Sequence, residues 1–151
     1  LTGRGYTAVP VTIENDDWWF NSKYVKARAA GDRALMKKIG DAYIAHWTTM
    51  FEWYEALSRQ VLKRPIDHVV LMHENALNAE RLPEVFALMK ARGYGFATVD
   101  AVLRDPAYGH ADTYAGPWGK SWLQRWALAD GIDTLGKEPD PPEWFVKLYP
   151  E

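Results

Sequence analysis

Two sets of residues in this chain could carry chemistry: His73, and the carboxylates Glu14, Asp16 and Asp17. Each set closes an apolar stretch. His73 follows Val69, Val70, Leu71 and Met72, and residues 7–13, TAVPVTI, run into Glu14, Asn15, Asp16 and Asp17. If the two stretches pair in parallel, both sets emerge on one rim. A carboxylate beside an imidazole stabilises the protonated ring, which suits a histidine meant to give a proton to a leaving group near neutral pH. The ordinary alternatives are a strand-end histidine bonded to backbone and a solvated acidic turn. His46, His68 and His110 add no compact metal-ligand spacing, and His46, on a long helical stretch, reads as an interface or surface residue. No Gly-rich phosphate loop, nucleophile elbow or serine with a nearby base is present, so a self-contained hydrolase is hard to build.

The elements that must position these groups follow from the hydrophobic pattern. Val69 to Met72 form the continuous apolar run of a strand buried on both faces, and in α/β proteins ligands bind at the C-terminal ends of such strands. Pro10 cannot donate to a ladder, so pairing of the first stretch begins after it. A short helix is expected around residues 24–30, with Gly31 as a boundary and Asp32 as N-cap of the next element. Leu35, Ile39, Tyr43, Trp47, Met50, Tyr54, Leu57 and Val61 recur every three or four positions, which gives one long amphipathic helix, or two split near Gly40, ended by Arg64 and Pro65. Asn78 is expected to cap a further helix carrying Leu82, Val85, Phe86 and Met89, closed by Gly93. Residues 94–99, YGFATV, suggest a third strand; residues 104–151 read as an irregular tail holding a short helix at 121–129. The order β, long α, β, α, β predicts an α/β fold of about three parallel strands with crossover helices. Three strands buried on both sides leave two open edges, so the chain reads as an incomplete portion of a larger sheet.

The totals set the frame. The 151 residues are one domain's worth of chain, and a net charge of −2 with mixed signs gives no electrostatic case for nucleic acid or an anionic membrane. No apolar run approaches the roughly 20 residues of a membrane helix. The absence of Cys excludes disulfides and thiolate metal sites and leaves the compartment open. Eight Trp and eight Tyr supply rings both for packing and for stacking on sugar faces. The chain starts at Leu1 without a basic, apolar leader, so that end is expected to have been trimmed or cut from something longer.

Three segments, VTIENDDWWF, HVVLMHENALNAERLPEVFALMKARGYGFATVDAVLRDPAY and SWLQRWA, resemble the C-terminal half of NodB-homology polysaccharide deacetylases over nearly the whole length. In that family five short motifs build a metal-dependent hydrolase site that removes N- or O-linked acetyl groups from sugars. The Leu-x-His motif matches Leu71, Met72 and His73, which implies His73 as general acid and Leu71 as lining of the acetyl pocket. The Asp-x-x-Asp-Trp motif matches Glu14 to Trp18, with Asp17 its second carboxylate and Trp18 a pocket wall. Glu14 stands where the family has Asp, so the carboxylate that should tune the histidine is one methylene longer. The motifs that supply the catalytic base, the metal ligands and the arginine that orients the base have no counterpart between Leu1 and Glu151.

The resemblance therefore implies the C-terminal portion of a distorted (β/α) barrel, TIM-barrel-like, that contributes an acid and an acetyl pocket to a divalent-metal site, in this family zinc, whose ligands lie outside the chain. The isolated chain is then expected to be inactive, and its partners to be an acetylated polysaccharide or oligosaccharide together with the missing N-terminal half or a second copy. Family resemblance favours a secreted or periplasmic location. The alternative is a non-catalytic module that binds glycans or a protein through exposed aromatics; a weaker one is a small independent hydrolase in which His73 pairs with Asp16 or Asp17.

Overall fold

The computed structural model describes residues 2–117, 119–134 and 136–149. Its contacts sort the chain into two compact units: Leu1–Glu14, Tyr54–Leu71 and Phe96–Lys137 form the first, and Asn15–Trp53, Met72–Gly95 and Glu138–Glu151 the second. The helices are α1 (Asp17–Ala29), α2 (Arg33–Leu62), α3 (Ala76–Ala91), α4 (Val99–Val102), α5 (Trp122–Ala129) and α6 (Glu143–Val146).

The expected α/β sheet is not present among the described residues. Among the described residues, the only β pairing of the three apolar stretches is one parallel bridge, between Ile13 and Val70. Val69 O accepts from the amides of Thr12 (2.9 Å) and Ile13 (3.1 Å), and the amide of Leu71 donates to Ile13 O at 3.0 Å. Residues 94–99 build no strand: Thr98 caps α4, its hydroxyl accepting from the amide of Ala101. The fold-class expectation of three parallel strands with crossover helices, part of a (β/α) barrel, is therefore corrected to a helical chain with one isolated bridge. The physical reason lies in length and burial. Parallel pairing is weak per residue and relies on neighbours on both sides. Here the paired segments are a few residues long, Pro10 interrupts the first, and Val69 and Val70 are only half-buried while Leu71 is exposed.

In the first unit, the core gathers Ile13, Leu57, Val61, Ile66, Val102, Leu123 and Trp126. Ser121 starts α5 with a capping box: its hydroxyl accepts from the amide of Gln124 (3.3 Å), and Gln124 Oε1 accepts from the amide of Ser121 (2.8 Å). The amide of Trp122, which the first turn of a helix leaves without an internal partner, donates to Val11 O at 2.8 Å and ties α5 to the extended segment.

The second unit is built by α1, the N-terminal part of α2, α3 and α6. Phe20, Tyr43, Trp47, Met50, Leu77, Val85 and Phe145 are fully buried, each large side chain contributing about 2 kcal/mol or more by leaving water. Phe20 stacks on Phe145 with ring centroids 4.1 Å apart, and the buried Lys23 ammonium donates to the carbonyls of Phe145 and Val146, closing the end of α6. The helix expected from residue 24 begins earlier, at Asp17, so Trp18 and Trp19 are helical. Asp32 caps α2, its Oδ1 accepting from the amide of Leu35 at 2.9 Å. Gly40 does not split α2. The Arg81 guanidinium of α3 lies over it, 2.7 Å from where a Cβ would stand. Asn75, not Asn78, is the N-cap of α3, accepting from the amide of Asn78 at 2.8 Å. Gly93, at φ +85°, ends that helix.

Candidate functional site

The turn Asn15–Asp16–Asp17 enters α1, and each side chain there has a separate task. Asn15 Oδ1 accepts from the amide of Asp17 at 3.0 Å, which takes up one of the donors a helix start leaves free. Asp16 is in the left-handed region, at φ 55° and ψ 22°, and makes no side-chain capping bond. Its carboxylate faces His46 of α2, with Oδ2 3.1 Å from Nε2. Asp17, 2 % exposed, turns to His73.

The Asp17–His73 contact is made twice. Oδ1 lies 2.6 Å from His73 Nδ1, and Oδ2 accepts the backbone amide of His73 at 2.7 Å. Against a carboxylate, Nδ1 is the nitrogen that carries the hydrogen, which leaves Nε2 for a reacting partner. The imidazole is half open to solvent, its side chain 49 % exposed above a carboxylate that is 3 % exposed. Asn78 braces both residues: its Nδ2 donates to Asp17 Oδ2 and to the carbonyl of His73, the latter at 2.8 Å. The buried Tyr43 hydroxyl donates to Asn78 Oδ1, and burial raises the Tyr43 phenol well above its ordinary range, so it stays a donor. The chain Tyr43, Asn78, Asp17, His73 is thus a polar network whose members fix one another.

Of the residues singled out from the sequence, the structure brings Asp17 and His73 together in the second unit. Trp18 follows Asp17 on α1, is 60 % exposed, and stacks on Trp19 at 6.3 Å. Glu14, half-buried, and Leu71, 37 % exposed, belong to the first unit. The carboxylate that holds the imidazole is Asp17, the second acid of the motif.

The sequence pattern marks Asn78 as a helix cap, Tyr43 as part of a hydrophobic stripe and His46 as a surface or interface residue; the structure puts Asn78 and Tyr43 in the network and His46 on the neighbouring Asp16. His46 is buried and its ring lies against Phe20 at 5.4 Å. A signal for His46 was present: it falls three residues after Tyr43 and four before Met50, on the apolar face of α2.

No group of three His, Cys, Asp or Glu side chains able to hold a metal comes together among the described residues, so these residues do not fit a complete metal site. A cavity of about 640 Å³ in the same unit is lined by Tyr24, Arg28, Arg33, Lys37, Glu80 and Arg81 among others, and none of the Asp17–His73 network lines it. Its cations are largely matched within the protein: Arg28 faces Glu80, Lys37 faces Asp41, and Arg81 faces Asp41 and Glu84. No helix is long and apolar enough to cross a membrane among the described residues.

Comparison with protein-family models, with curated proteins and with solved structures gives no match for this chain.

Proposed function

We propose that this chain supplies the acid-bearing part of a metal-dependent carbohydrate deacetylase of the NodB-homology type. The observation that carries the reading is the Asp17–His73 contact: a buried carboxylate on Nδ1 of a half-exposed imidazole at the residue matching the Leu-x-His motif. Hydrolysis of an acetamide or acetate ester adds water to the acyl carbon and breaks its bond to nitrogen or oxygen, and the departing group must take up a proton. His73, with Nδ1–H held by Asp17, presents Nε2 as the atom that gives it. Asp17 keeps the ring in one tautomer and one orientation, and Asn78 and Tyr43 keep Asp17 in place. Trp18, exposed on the next residue of α1, is suited to stack on the apolar face of a sugar ring.

Such chemistry in the resembled family would also need a divalent metal, which would supply Lewis-acid activation. The described residues of this chain do not assemble its ligands, so a second polypeptide would have to hold it. The purified chain should therefore release no acetate from acetylated chito-oligosaccharides, with or without added zinc. The same assay on the chain bound to a polypeptide carrying the metal motifs should show metal-dependent release. His73→Ala in that complex should slow it roughly 10²- to 10⁴-fold. Robust turnover by the chain alone, or an unaffected His73→Ala complex, would remove the proposal. The exposed Trp18 keeps a second reading in view, a glycan-binding module. It requires sugar binding by the chain alone, without metal, lost in Trp18→Ala.

A further inference from the structure

Asp16 sits where an aspartate ordinarily caps a helix, yet it does not cap. An N-cap aspartate normally has extended backbone and accepts from an amide in the first helical turn. Here the backbone is left-handed, at φ 55°, and no capping bond is made by the side chain. Left-handed backbone is unfavourable for a residue with a Cβ, somewhat less so for Asp and Asn, and it persists where the surroundings hold it. The capping task has passed to Asn15, whose Oδ1 accepts from the amide of Asp17. What holds Asp16 is His46.

The hold is closed on itself. The Asp16 carbonyl accepts from the amides of Trp19 (2.9 Å) and Phe20 (3.0 Å) and so starts α1. Phe20, one turn on, lays its ring against His46 at 5.4 Å, and His46 Nε2 returns to the Asp16 carboxylate at 3.1 Å. His46 itself has little freedom: its side chain is 2 % exposed, and Tyr43 and Trp47 beside it on α2 are fully buried. The backbone angles of Asp16 set the direction in which Asp17 leaves the turn, and Asp17 is the residue that grips His73.

We propose that His46 is a positioning residue for this site: by holding the Asp16 carboxylate it fixes the left-handed turn that presents Asp17 to His73. The two adjacent acids thus have separate imidazoles, a buried one that sets the turn and a half-exposed one that meets the reacting partner. The importance of this arrangement rests on the reading of His73 as the working acid, but the contact itself can be tested without substrate.

The measurement is the tautomer ratio of the His73 ring, from the nitrogen-15 shifts of its two nitrogens in the labelled full chain at alkaline pH. In the parent chain the ring is held as the Nδ1–H form. In His46→Leu the ratio of Nδ1–H to Nε2–H should fall by roughly tenfold, the factor that about one lost hydrogen bond carries. His46→Gln, which keeps a donor for Asp16, and Asp16→Asn, which keeps an acceptor and tolerates the turn, should restore it. Asp16→Ala removes the contact and leaves a side chain for which left-handed backbone is unfavourable, so it decides the matter if His46→Leu does not fold. An unchanged tautomer ratio in Asp16→Ala, or in a folded His46→Leu, overturns the proposal. Loss of the ratio in a chain whose complex proves inactive on acetylated sugars would keep the positioning role and remove only the enzymatic reading.

Discussion

His68 and His73 flank the same short apolar run, and their surroundings make them different chemical objects. His68, in the first unit, is partly buried, its Nδ1 3.2 Å from the Thr12 hydroxyl, which also accepts the amide of Val69 at 2.9 Å. Burial pushes its imidazole down to about 4, against which Glu55 and Asp67 pull only weakly. His73, in the second unit, is half-exposed over a buried carboxylate that is itself held by Asn78. Loss of water around a ring favours its neutral form. A carboxylate fixed on one nitrogen with the rest of the ring near solvent gives a proton carrier with a defined orientation. Residue type is shared, so the contrast is made by desolvation on one side and by a preformed acceptor on the other.

The comparison can be broken first at Asp17. Asp17→Ala takes the acceptor from one Asn78 N–H and from the backbone amide of His73, and should cost about 3 kcal/mol in urea denaturation while freeing the His73 ring. A cost below about 1 kcal/mol would mean that the network is not a structural unit. Removing the brace instead, Asn78→Ala, should cost about 2 kcal/mol by the same reasoning, with Tyr43 then lacking its acceptor.

The His68 side of the comparison predicts a pH dependence. In the unfolded chain the ring takes up its proton as pH falls through its ordinary value of 6.5, whereas in the folded protein it does so only near 4. Between those values the unfolded state binds more protons, so this contribution is fully present above about 6.5 and is lost as pH falls towards about 4. The loss should be on the order of 3 kcal/mol. Stability curves of the parent chain and His68→Gln should therefore converge or cross over that window; parallel curves would show that His68 titrates normally in the fold.

Smaller effects sharpen the remaining assignments. Ser121→Ala removes one half of the α5 capping box and should cost about 1 kcal/mol. Trp18→Ala, at an exposed position, should change stability by less than about 0.5 kcal/mol, so any loss of sugar affinity in that variant reports contact with ligand rather than unfolding.

The helical part of the chain was largely legible. The stripe from Leu35 to Val61 specified α2, Asp32 and Gly93 marked real boundaries, and residues 121–129 held a helix because Ser121 and Gln124 stand at capping-box spacing. Val69 to Met72 is apolar enough for a buried strand, yet no sheet forms there, because strand formation depends on partners that a local pattern does not contain. Asn75 and Asn78 both have the side chain of a cap, and only the amide that each meets distinguishes them.

By itself the sequence determined which groups could act, His73 and a carboxylate cluster ahead of α1, because residue types and local spacing are written in it directly. Only the tertiary structure decided that Asp17 takes His73, that Asp16 takes His46, and that Asn78 and Tyr43 stand behind them. Those pairings join residues 30 to 61 positions apart. They depend on the angle at which α1, α2 and α3 pack and on one left-handed residue in the turn, and helix packing is set by the summed burial of many side chains rather than by any local signal.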